Sequence, residues 1–148
     1  MICRLVAFEE LTALLRLYAF LHPEDPMVDP DEAAVGQLWL RIHEDPNLLY
    51  YAAVDEGRLV STCTLTLVPN LTRGLQPYGV IENVVTDPAF RRRGYARAVL
   101  RHALEEAWRA GCYKVMLATG SKEEGTLEFY EKVGFRRGVK TAFIAQPA

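Results

Sequence analysis

The sequence predicts an α/β (α+β) fold with a mixed, mostly antiparallel central sheet flanked by helices on both faces. Three β-type runs, residues 50–54, 59–68 and 80–85, follow one another through a short turn and a loop, which is typical of antiparallel neighbours. A fourth run, residues 113–118, follows the third through a helical pattern. That order predicts a parallel pair with a right-handed crossover.

Length and composition favour a single domain over residues 1–148. A chain of 148 residues with 50% hydrophobic and 24% charged residues suits one folded core. The net charge of -2 argues against a general nucleic-acid-binding protein, which usually carries a basic excess. No apolar run is long enough to span a bilayer, and residues 1–7 do not resemble a signal peptide. We therefore expect a cytoplasmic protein whose partners include no membrane and no nucleic acid.

The three cysteines, Cys3, Cys63 and Cys112, lie far apart in apolar surroundings. The sequence has no CxxC pair and no histidine at metal-ligand spacing. We expect reduced core thiols and no metal site. A catalytic cysteine is the alternative, but Cys112 follows a helix end where nothing nearby would lower its pKa.

The first half of the chain carries strand and helix signals in alternation. Residues 2–6 form a β-type run, and apolar residues recur at helical spacing over residues 8–21. Asp31 is the predicted N-cap of a second helix. Residues 55–58 predict a hairpin turn. In the strand that follows, we expect one polar and one buried face, because Thr62, Thr64 and Thr66 alternate with Cys63, Leu65 and Leu67.

The second half continues with helix, strand, helix and strand. A helix with an apolar stripe begins after Gly94, and Gly111 is its expected C′ residue. Residues 113–118 predict a buried strand, and residues 126–133 a short helix ended by Gly134. Residues 135–145 predict the last strand.

Residues 80–97 are the stretch most informative about function. The strand at residues 80–85 ends in an Asp87-Pro88 turn, three arginines and Gly94 follow, and a helix then begins. The free N–H groups of a first helical turn favour anions, and glycine lets the backbone approach them closely. The alternative for the arginines is a solvated basic turn. With the strand before it and the helix after it, the pattern favours phosphate binding.

Two motifs resemble those of the GCN5-related N-acetyltransferases. Residues 91–96, Arg91-Arg92-Arg93-Gly94-Tyr95-Ala96, are similar to the family's Q/R-x-x-G-x-G/A loop, and residues 130–135 are similar to its closing Tyr-x-x-x-Gly-Phe. The order of elements also fits over nearly the whole chain. Within the family, residues 81–85, 111–114 and 129–132 are similar to glucosamine-6-phosphate N-acetyltransferases. The resemblance implies the acyl-CoA N-acyltransferase fold.

The resemblance also implies acetyl-CoA as co-substrate. Backbone N–H groups of residues 92–96 would bind the pyrophosphate, aided by the side chains of Arg91, Arg92 and Arg97. The backbone of Val84, Val85 and Thr86 would hold the pantetheine arm, with an N–H near Val84 as oxyanion donor. The implied cofactor-binding set is Val84, Val85, Thr86, Arg91, Arg92, Arg93, Gly94, Tyr95, Ala96 and Arg97.

Two residues are candidates for proton transfer in direct attack by an amine on the thioester. Tyr130 matches the family tyrosine that protonates the leaving thiolate, or is a core aromatic of a short helix. Glu82 interrupts an apolar strand and is the candidate base, or faces solvent through strand alternation. Its neighbour Asn83 should point to the opposite face.

The sequence departs from the family in two places. An Asn before the tyrosine is absent, and Ser121 or Thr126 is its candidate replacement. The last strand is hard to place within one chain, so it could pair across a homodimer, as in amino-sugar members.

The acceptor stays open between two classes. A sugar phosphate would need a cationic pocket, for which Arg73, Lys114, Arg137 and Lys140 are scattered candidates. The acidic loop at residues 23–31 is either a solvated connection or a lip that suits an amine, polyamine or aminoglycoside-like acceptor. A non-catalytic acyl-CoA-binding module and a protein amine as acceptor are the alternatives to a small-molecule enzyme.

Overall fold

The computed structural model describes residues 1–148 and contains five strands and four α-helices. Short 3-10 helices at Phe8–Glu10, Arg73–Leu75 and Pro88–Phe90 supplement them. The elements in chain order are β1 Ile2–Leu5, α1 Leu11–Leu21, α2 Ala33–Glu44, β2 Leu48–Asp55, β3 Arg58–Val68, β4 Tyr78–Thr86, α3 Tyr95–Arg109, β5 Val115–Leu117 and α4 Glu124–Val133. The chain divides into two compact units, residues 1–116 and 117–148. No helix has the length and apolar character needed to cross a membrane.

The sheet has the strand order β1-β2-β3-β4-β5, and β1 to β4 are antiparallel neighbours. Two backbone hydrogen bonds tie the start of β4 to the segment leading into β5. Tyr113 N–H donates to the Pro77 carbonyl at 3.0 Å, and Gly79 N–H donates to the Lys114 carbonyl at 3.0 Å. The paired residue numbers rise together, as in a parallel pair. The mixed, mostly antiparallel sheet is therefore confirmed.

The turn between β2 and β3 forms the predicted two-residue hairpin. Asp55 pairs with Arg58, and both residues between them have positive φ, 48° at Glu56 and 77° at Gly57. Positive φ at both central positions defines the type I′ turn, whose twist matches that of the flanking strands.

Helices cover both faces of the sheet. On one face, Leu14 and Leu17 of α1 and Trp39 of α2 pack against Ala52 and Val54 of β2. On the other face, Cys63 contacts the Val99 carbonyl of α3, and Tyr51 makes an edge contact with His102. The expectation of a polar face on β3 is wrong, because Thr62 and Thr64 are 0% and 6% exposed beneath α1 and its neighbours.

Helix α3 ends as the sequence predicts. Cys112 N–H donates to the Ala107 carbonyl and Gly111 N–H to the Trp108 carbonyl, both at 3.0 Å. With Gly111 at φ 85°, these bonds form a Schellman motif, in which glycine adopts the left-handed conformation at low cost.

Three local expectations need correction. The helix predicted over residues 8–21 begins as a 3-10 turn and becomes α-helical at Leu11. The N-cap of α2 is Glu32, since Asp31 lies in a turn where its own N–H bonds to Asp29. Cys3 is only half-buried, whereas Cys63 and Cys112 are buried.

The predicted strand over residues 135–145 is wrong. No regular element follows α4. Gly138 at φ 78° places a turn in this segment, and the apolar side chains of Val139, Phe143 and Ile144 are 62%, 90% and 78% exposed. β-forming residues give a strand only where a neighbour pairs with the backbone, and β5 has no further strand beside it.

Candidate functional site

A β-bulge interrupts β4 next to the predicted base. Thr64 pairs with Glu82 and Thr62 with Val85, so Asn83 and Val84 together stand opposite one residue of β3. Asn83 has φ 52°, a left-handed conformation that non-glycine residues adopt rarely and often at functional sites. The bulge breaks the alternation of side chains, so Glu82 and Asn83 are both exposed.

The strand β4 also continues beyond its neighbour β5. β4 has nine residues and β5 has three, and the two bonds described above join the start of β4 to the segment that leads into β5. The stretch Val84 to Thr86, whose backbone the resemblance assigns to the pantetheine arm, thus lies past the short neighbour. Val85 is 7% exposed, and its carbonyl accepts a hydrogen bond from Ser61 at 3.2 Å.

Asp87 organises the turn after β4. It is 4% exposed, and its carboxylate accepts hydrogen bonds from Ala89 N–H at 3.0 Å, Arg16 at 2.8 Å and Arg58 at 3.2 Å. The Arg16 guanidinium is the main reason that the pKa of Asp87 lies below its ordinary value. Arg16 also donates to the Leu59 carbonyl at 2.8 Å, so it joins α1 to both β3 and the turn.

The arginine loop that follows is exposed from Arg91 to Gly94. Arg92 has φ 62° and Gly94 has φ 84°. Gly94 is the N-cap of α3 and provides no side-chain cap; the Ala98 N–H is the first to bond back, to the Gly94 carbonyl at 3.0 Å. The N–H groups of residues 95–97 therefore have no partner within the helix, and they are open to an anion.

Tyr95 fixes this loop to the β2–β3 hairpin. Its hydroxyl donates to the Asp55 carboxylate at 2.6 Å, and this bond raises the pKa of Tyr95. Its ring makes an edge contact with Phe90, whose face carries the Arg58 and Arg93 guanidinium groups at 5.5 and 5.3 Å. Arg93 is exposed like its neighbours, but its guanidinium lies over Phe90. Arg91, Arg92 and Arg97 are the arginines whose side chains the resemblance assigns to the pyrophosphate.

A cluster of two cations and two tyrosines lies at the other end of β4. Lys114 Nζ is 5.2 Å from the centre of the Tyr78 ring and 5.3 Å from that of Tyr113, and the Arg73 guanidinium is 5.6 Å from the Tyr113 ring. The two rings contact each other edge to face. Of the four scattered cations, the structure thus brings Arg73 and Lys114 together. We call Arg73, Tyr78, Tyr113 and Lys114 the cation–tyrosine cluster.

The second unit contains Tyr130. Its half-buried ring makes edge contacts with Phe129 and Phe135, at centroid distances of 5.2 and 6.2 Å. Ser121 and Thr126, the candidate replacements for the missing Asn, hydrogen-bond to each other at 3.2 Å. Arg137 forms ion pairs with Glu124 and Glu131. The catalytic role of Tyr130 stays a prediction.

The cysteines do not have the character of nucleophiles. Burial raises the pKa of all three thiols, Cys63 most of all, whereas an activated cysteine needs a lowered pKa. No group of three or more His, Cys, Asp or Glu side chains is arranged to hold a metal ion.

Sequence reasoning missed the contacts that hold the loop. Arg16 lies 71 residues before Asp87, and Asp55 lies 40 residues before Tyr95. A single arginine on a helix and a single aspartate in a hairpin carry no local signal of such contacts. The sequence predicts the turn at Asp87, but it does not predict that Asp87 is buried or that Arg16 and Arg58 bond to it.

Comparison with known proteins identifies the family. The sequence profile of the acetyltransferase (GNAT) family matches residues 10–135. The chain therefore belongs to the GNAT family of acetyltransferases, as its two motifs predict.

Two relatives are similar to it in sequence. A glucosamine 6-phosphate N-acetyltransferase from Trypanosoma brucei brucei is 42% identical over 80 residues, 54% of this chain and 52% of the relative. A probable glucosamine 6-phosphate N-acetyltransferase 2 from Oryza sativa subsp. japonica is 36% identical over 114 residues, 76% of this chain and 63% of the relative. The matched region thus spans between about half and two thirds of these relatives.

Solved structures support the same fold. A putative acetyltransferase from Agrobacterium tumefaciens str. C58 is 44% identical, with a TM-score of 0.93 over 99% of this chain and 100% of that chain. A glucosamine-6-phosphate N-acetyltransferase from Arabidopsis thaliana has a TM-score of 0.83 over 99% of this chain and 97% of that one. At 19% identity, the latter likeness concerns the fold alone.

Proposed function

We propose that the chain transfers an acetyl group from acetyl-CoA to the primary amine of a small molecule by direct attack in a ternary complex. The observation that carries this proposal is the arrangement at the end of β4. There a bulged strand leads through the Asp87 turn into an exposed arginine loop and a helix with three unpartnered N–H groups. These donors suit the pyrophosphate of CoA, and an added Cβ at Gly94 would meet no protein atom within 4 Å, so the approach is open.

The proposed chemistry uses Glu82 and Tyr130. The amine nitrogen, freed of its extra proton by Glu82 directly or through water, attacks the thioester carbonyl, and the carbon–nitrogen bond forms. Backbone N–H groups of the bulge stabilise the oxyanion of the tetrahedral intermediate. The carbon–sulfur bond then breaks, and Tyr130 protonates the leaving thiolate. The nitrogen gives up its second proton to the Tyr130 phenolate or to water, which leaves the neutral amide. Glu82 is exposed and has no ion-pair partner, so its carboxylate is available to accept the proton.

For the acceptor, we propose an amino-sugar phosphate. Two relatives are named for glucosamine 6-phosphate, and the cation–tyrosine cluster supplies two cations for a phosphate. Tyr78 and Glu82 lie four residues apart on the same face of β4, about 13 Å at the rise of a strand. The long Arg73 and Lys114 side chains can shorten that span, so one sugar could place its phosphate at the cluster and its amine near Glu82.

The deciding experiment measures thiol release from acetyl-CoA with glucosamine 6-phosphate, glucosamine, polyamines and a lysine peptide. We expect turnover with the phosphorylated sugar, reduced at least tenfold by Tyr130→Phe. Saturable acetyl-CoA binding without turnover would instead favour the non-catalytic module. Turnover with the peptide or a polyamine alone would move the acceptor to those classes.

Lys114→Ala tests the phosphate site separately. It should raise KM for glucosamine 6-phosphate by about tenfold or more while leaving KM for glucosamine within about twofold, because a charge-assisted hydrogen bond to phosphate is lost. Lys122→Ala, which removes an exposed lysine of the second unit, is the matched control and should change neither value.

We also propose a cytoplasmic homodimer. Residues 135–145 combine β-forming residues with exposed Val139, Phe143 and Ile144, and a second copy could pair with them. Sedimentation of the full chain against a chain ending after Gly138 would test this, since only the full chain should dimerise.

A further inference from the structure

Two buried hydroxyl groups of β3 contact β4 on either side of its bulge. Thr64 Oγ1 donates to the Glu82 carbonyl at 3.1 Å, and Ser61 Oγ donates to the Val85 carbonyl at 3.2 Å. Ser61 Oγ also lies 2.8 Å from Thr86 Oγ1. The two carbonyl groups that flank the bulge residues 83 and 84 are thus both held by side chains from the neighbouring strand.

The two contacts come from opposite faces of the sheet. Thr64 belongs to the face covered by α1, and Ser61 belongs, with Cys63, to the face covered by α3. Their exposures are 6% and 0%. Hydroxyl groups this deeply buried are costly to leave unpaired, so each should keep its partners on β4: the Glu82 carbonyl for Thr64, and the Val85 carbonyl and the Thr86 hydroxyl for Ser61.

The bulge itself is conformationally demanding. Asn83 holds φ at 52°, and a non-glycine residue in this region is maintained only where its surroundings over-determine it. The bulge also lies in the middle of the strand, where two residues face one and the regular pairing is interrupted. Anchors on both flanks limit the ways in which the four residues from Glu82 to Val85 can relax.

We propose that Thr64 and Ser61 are positioning residues that hold the β4 bulge in its reactive geometry. This inference rests on the proposed function, in which the backbone of the bulge stabilises the oxyanion and Glu82 accepts the proton. Because both side chains are buried, we assign them no direct contact with the substrates. They act on the position and orientation of the backbone N–H groups and of Glu82. Misplacement of reacting groups by about 1 Å can reduce rates about a hundredfold.

The chain offers a matched control on the same strand. Thr62 is 0% exposed, and its hydroxyl also donates to a backbone carbonyl, at 2.6 Å, but the acceptor is Tyr51 on β2. Thr62→Val and Thr64→Val therefore delete the same group from the same strand at similar depth. They differ in the bond that is lost. Thr64→Val loses a bond to β4 beside the bulge, whereas Thr62→Val loses a bond to β2.

The experiment compares steady-state kinetics of these variants with thermal stability. Thr64→Val should lower kcat by about tenfold with KM for acetyl-CoA within about twofold, and Thr64→Ser, which keeps the hydroxyl, should restore kcat. Thr62→Val should lower the melting temperature to a similar extent but leave kcat within about twofold. Ser61→Ala should lower kcat like Thr64→Val. Equal kcat for Thr62→Val and Thr64→Val would overturn the proposal.

A second readout does not depend on activity. Amide hydrogen exchange of residues 82–86, followed by NMR in the free protein, should accelerate in Thr64→Val and remain unchanged in Thr62→Val. If exchange is unchanged in both, the hydroxyl does not hold the bulge and the proposal fails. If exchange accelerates in Thr64→Val but the unmodified protein turns over no acceptor, Thr64 does stabilise the bulge. In that case it is the proposed function that fails.

Discussion

Substitution of Gly94 should affect the stability of the protein only slightly and its affinity for acetyl-CoA strongly. Its φ of 84° is strained for any side chain, and an added Cβ would meet no protein atom within 4 Å. Gly94→Ala should therefore cost only about 1 kcal/mol of stability, the usual penalty for a left-handed L-residue. Acetyl-CoA affinity should fall at least tenfold, because the methyl group would stand where the pyrophosphate approaches the loop. Calorimetric titration and thermal unfolding measure the two effects.

Gly111→Ala is the matched control. Gly111 has φ 85° and the same open surroundings, but it lies at the opposite end of α3 from the arginine loop. We expect a similar loss of stability and no loss of affinity. Equal affinity losses in both variants would mean that Gly94 acts only through the fold.

Asp87 predicts a pH dependence of stability. Its pKa is lowered in the folded state, so its ion pairs contribute fully above the unfolded value of about 4 and are lost as the pH falls through the lower folded pKa. Asp87→Asn should lower the melting temperature by about 3–6 °C at pH 7, the effect of roughly 1–2 kcal/mol in a chain of this size. The difference from the unmodified protein should shrink below about pH 4.

Asp45→Asn provides the comparison for that experiment. Asp45 also accepts a backbone N–H two residues along the chain, from Asn47 at 2.9 Å, but it has no arginine partner. Its substitution should show no such pH-dependent difference. A constant difference between Asp87→Asn and the unmodified protein from pH 7 to pH 3 would contradict the role of the arginines.

At the scale of secondary-structure elements, the contact between the β2–β3 hairpin and the start of α3 fixes the position of the arginine loop. Tyr95→Phe removes the hydroxyl that bonds to Asp55 and keeps the ring beside Phe90. KM for acetyl-CoA should rise by about three- to tenfold with kcat within about twofold, because only the loop is loosened. Asp55→Ala should give the same change, and the double variant should add little to it. Additive effects would show that the two residues act independently.

The strands and helices of the sheet were predictable because their patterns are local. Runs of β-forming residues around a turn signal mark β2 and β3, helical periodicity marks α1 and α3, and Gly94 and Gly111 mark the ends of α3. The bulge in β4 was not predictable, since its register depends on the partner strand. The strand predicted over residues 135–145 failed for the same reason: its composition favours β structure, but pairing is supplied by neighbours and not by composition.

The residues of the candidate site also fall into those that the sequence predicts and those that only the structure reveals. The residues 91–97 follow from a motif, and Glu82 follows from polarity within an apolar strand. Arg16, Asp55 and Thr64 act through contacts with residues distant in sequence, and a Thr or an Asp of this kind is common at positions without function. Only the folded chain distinguishes Thr64 from Thr62.

At the scale of the whole molecule, binding of acetyl-CoA should raise the thermal stability of the protein. A ligand that binds only the folded state at 100 times its Kd stabilises it by about 2.7 kcal/mol, or about 5–10 °C for a chain of this size. Acetyl-CoA should raise the melting temperature by that amount in the unmodified protein. In Gly94→Ala at the same concentration the shift should be about half as large or less, because a tenfold weaker Kd leaves about 1.4 kcal/mol. An equal shift in the two proteins would place the binding elsewhere.

The strand order β1-β2-β3-β4-β5 is also the order along the chain, and this has a consequence for how the protein folds. A two-residue turn closes β2 onto β3, whereas β1 must wait for a partner more than forty residues away, with two helices between them. Short loops close at the lowest entropic cost. The β2–β3 hairpin should therefore form early and act as the template on which β4 and then the arginine loop assemble, so the binding site would be among the last parts to be completed.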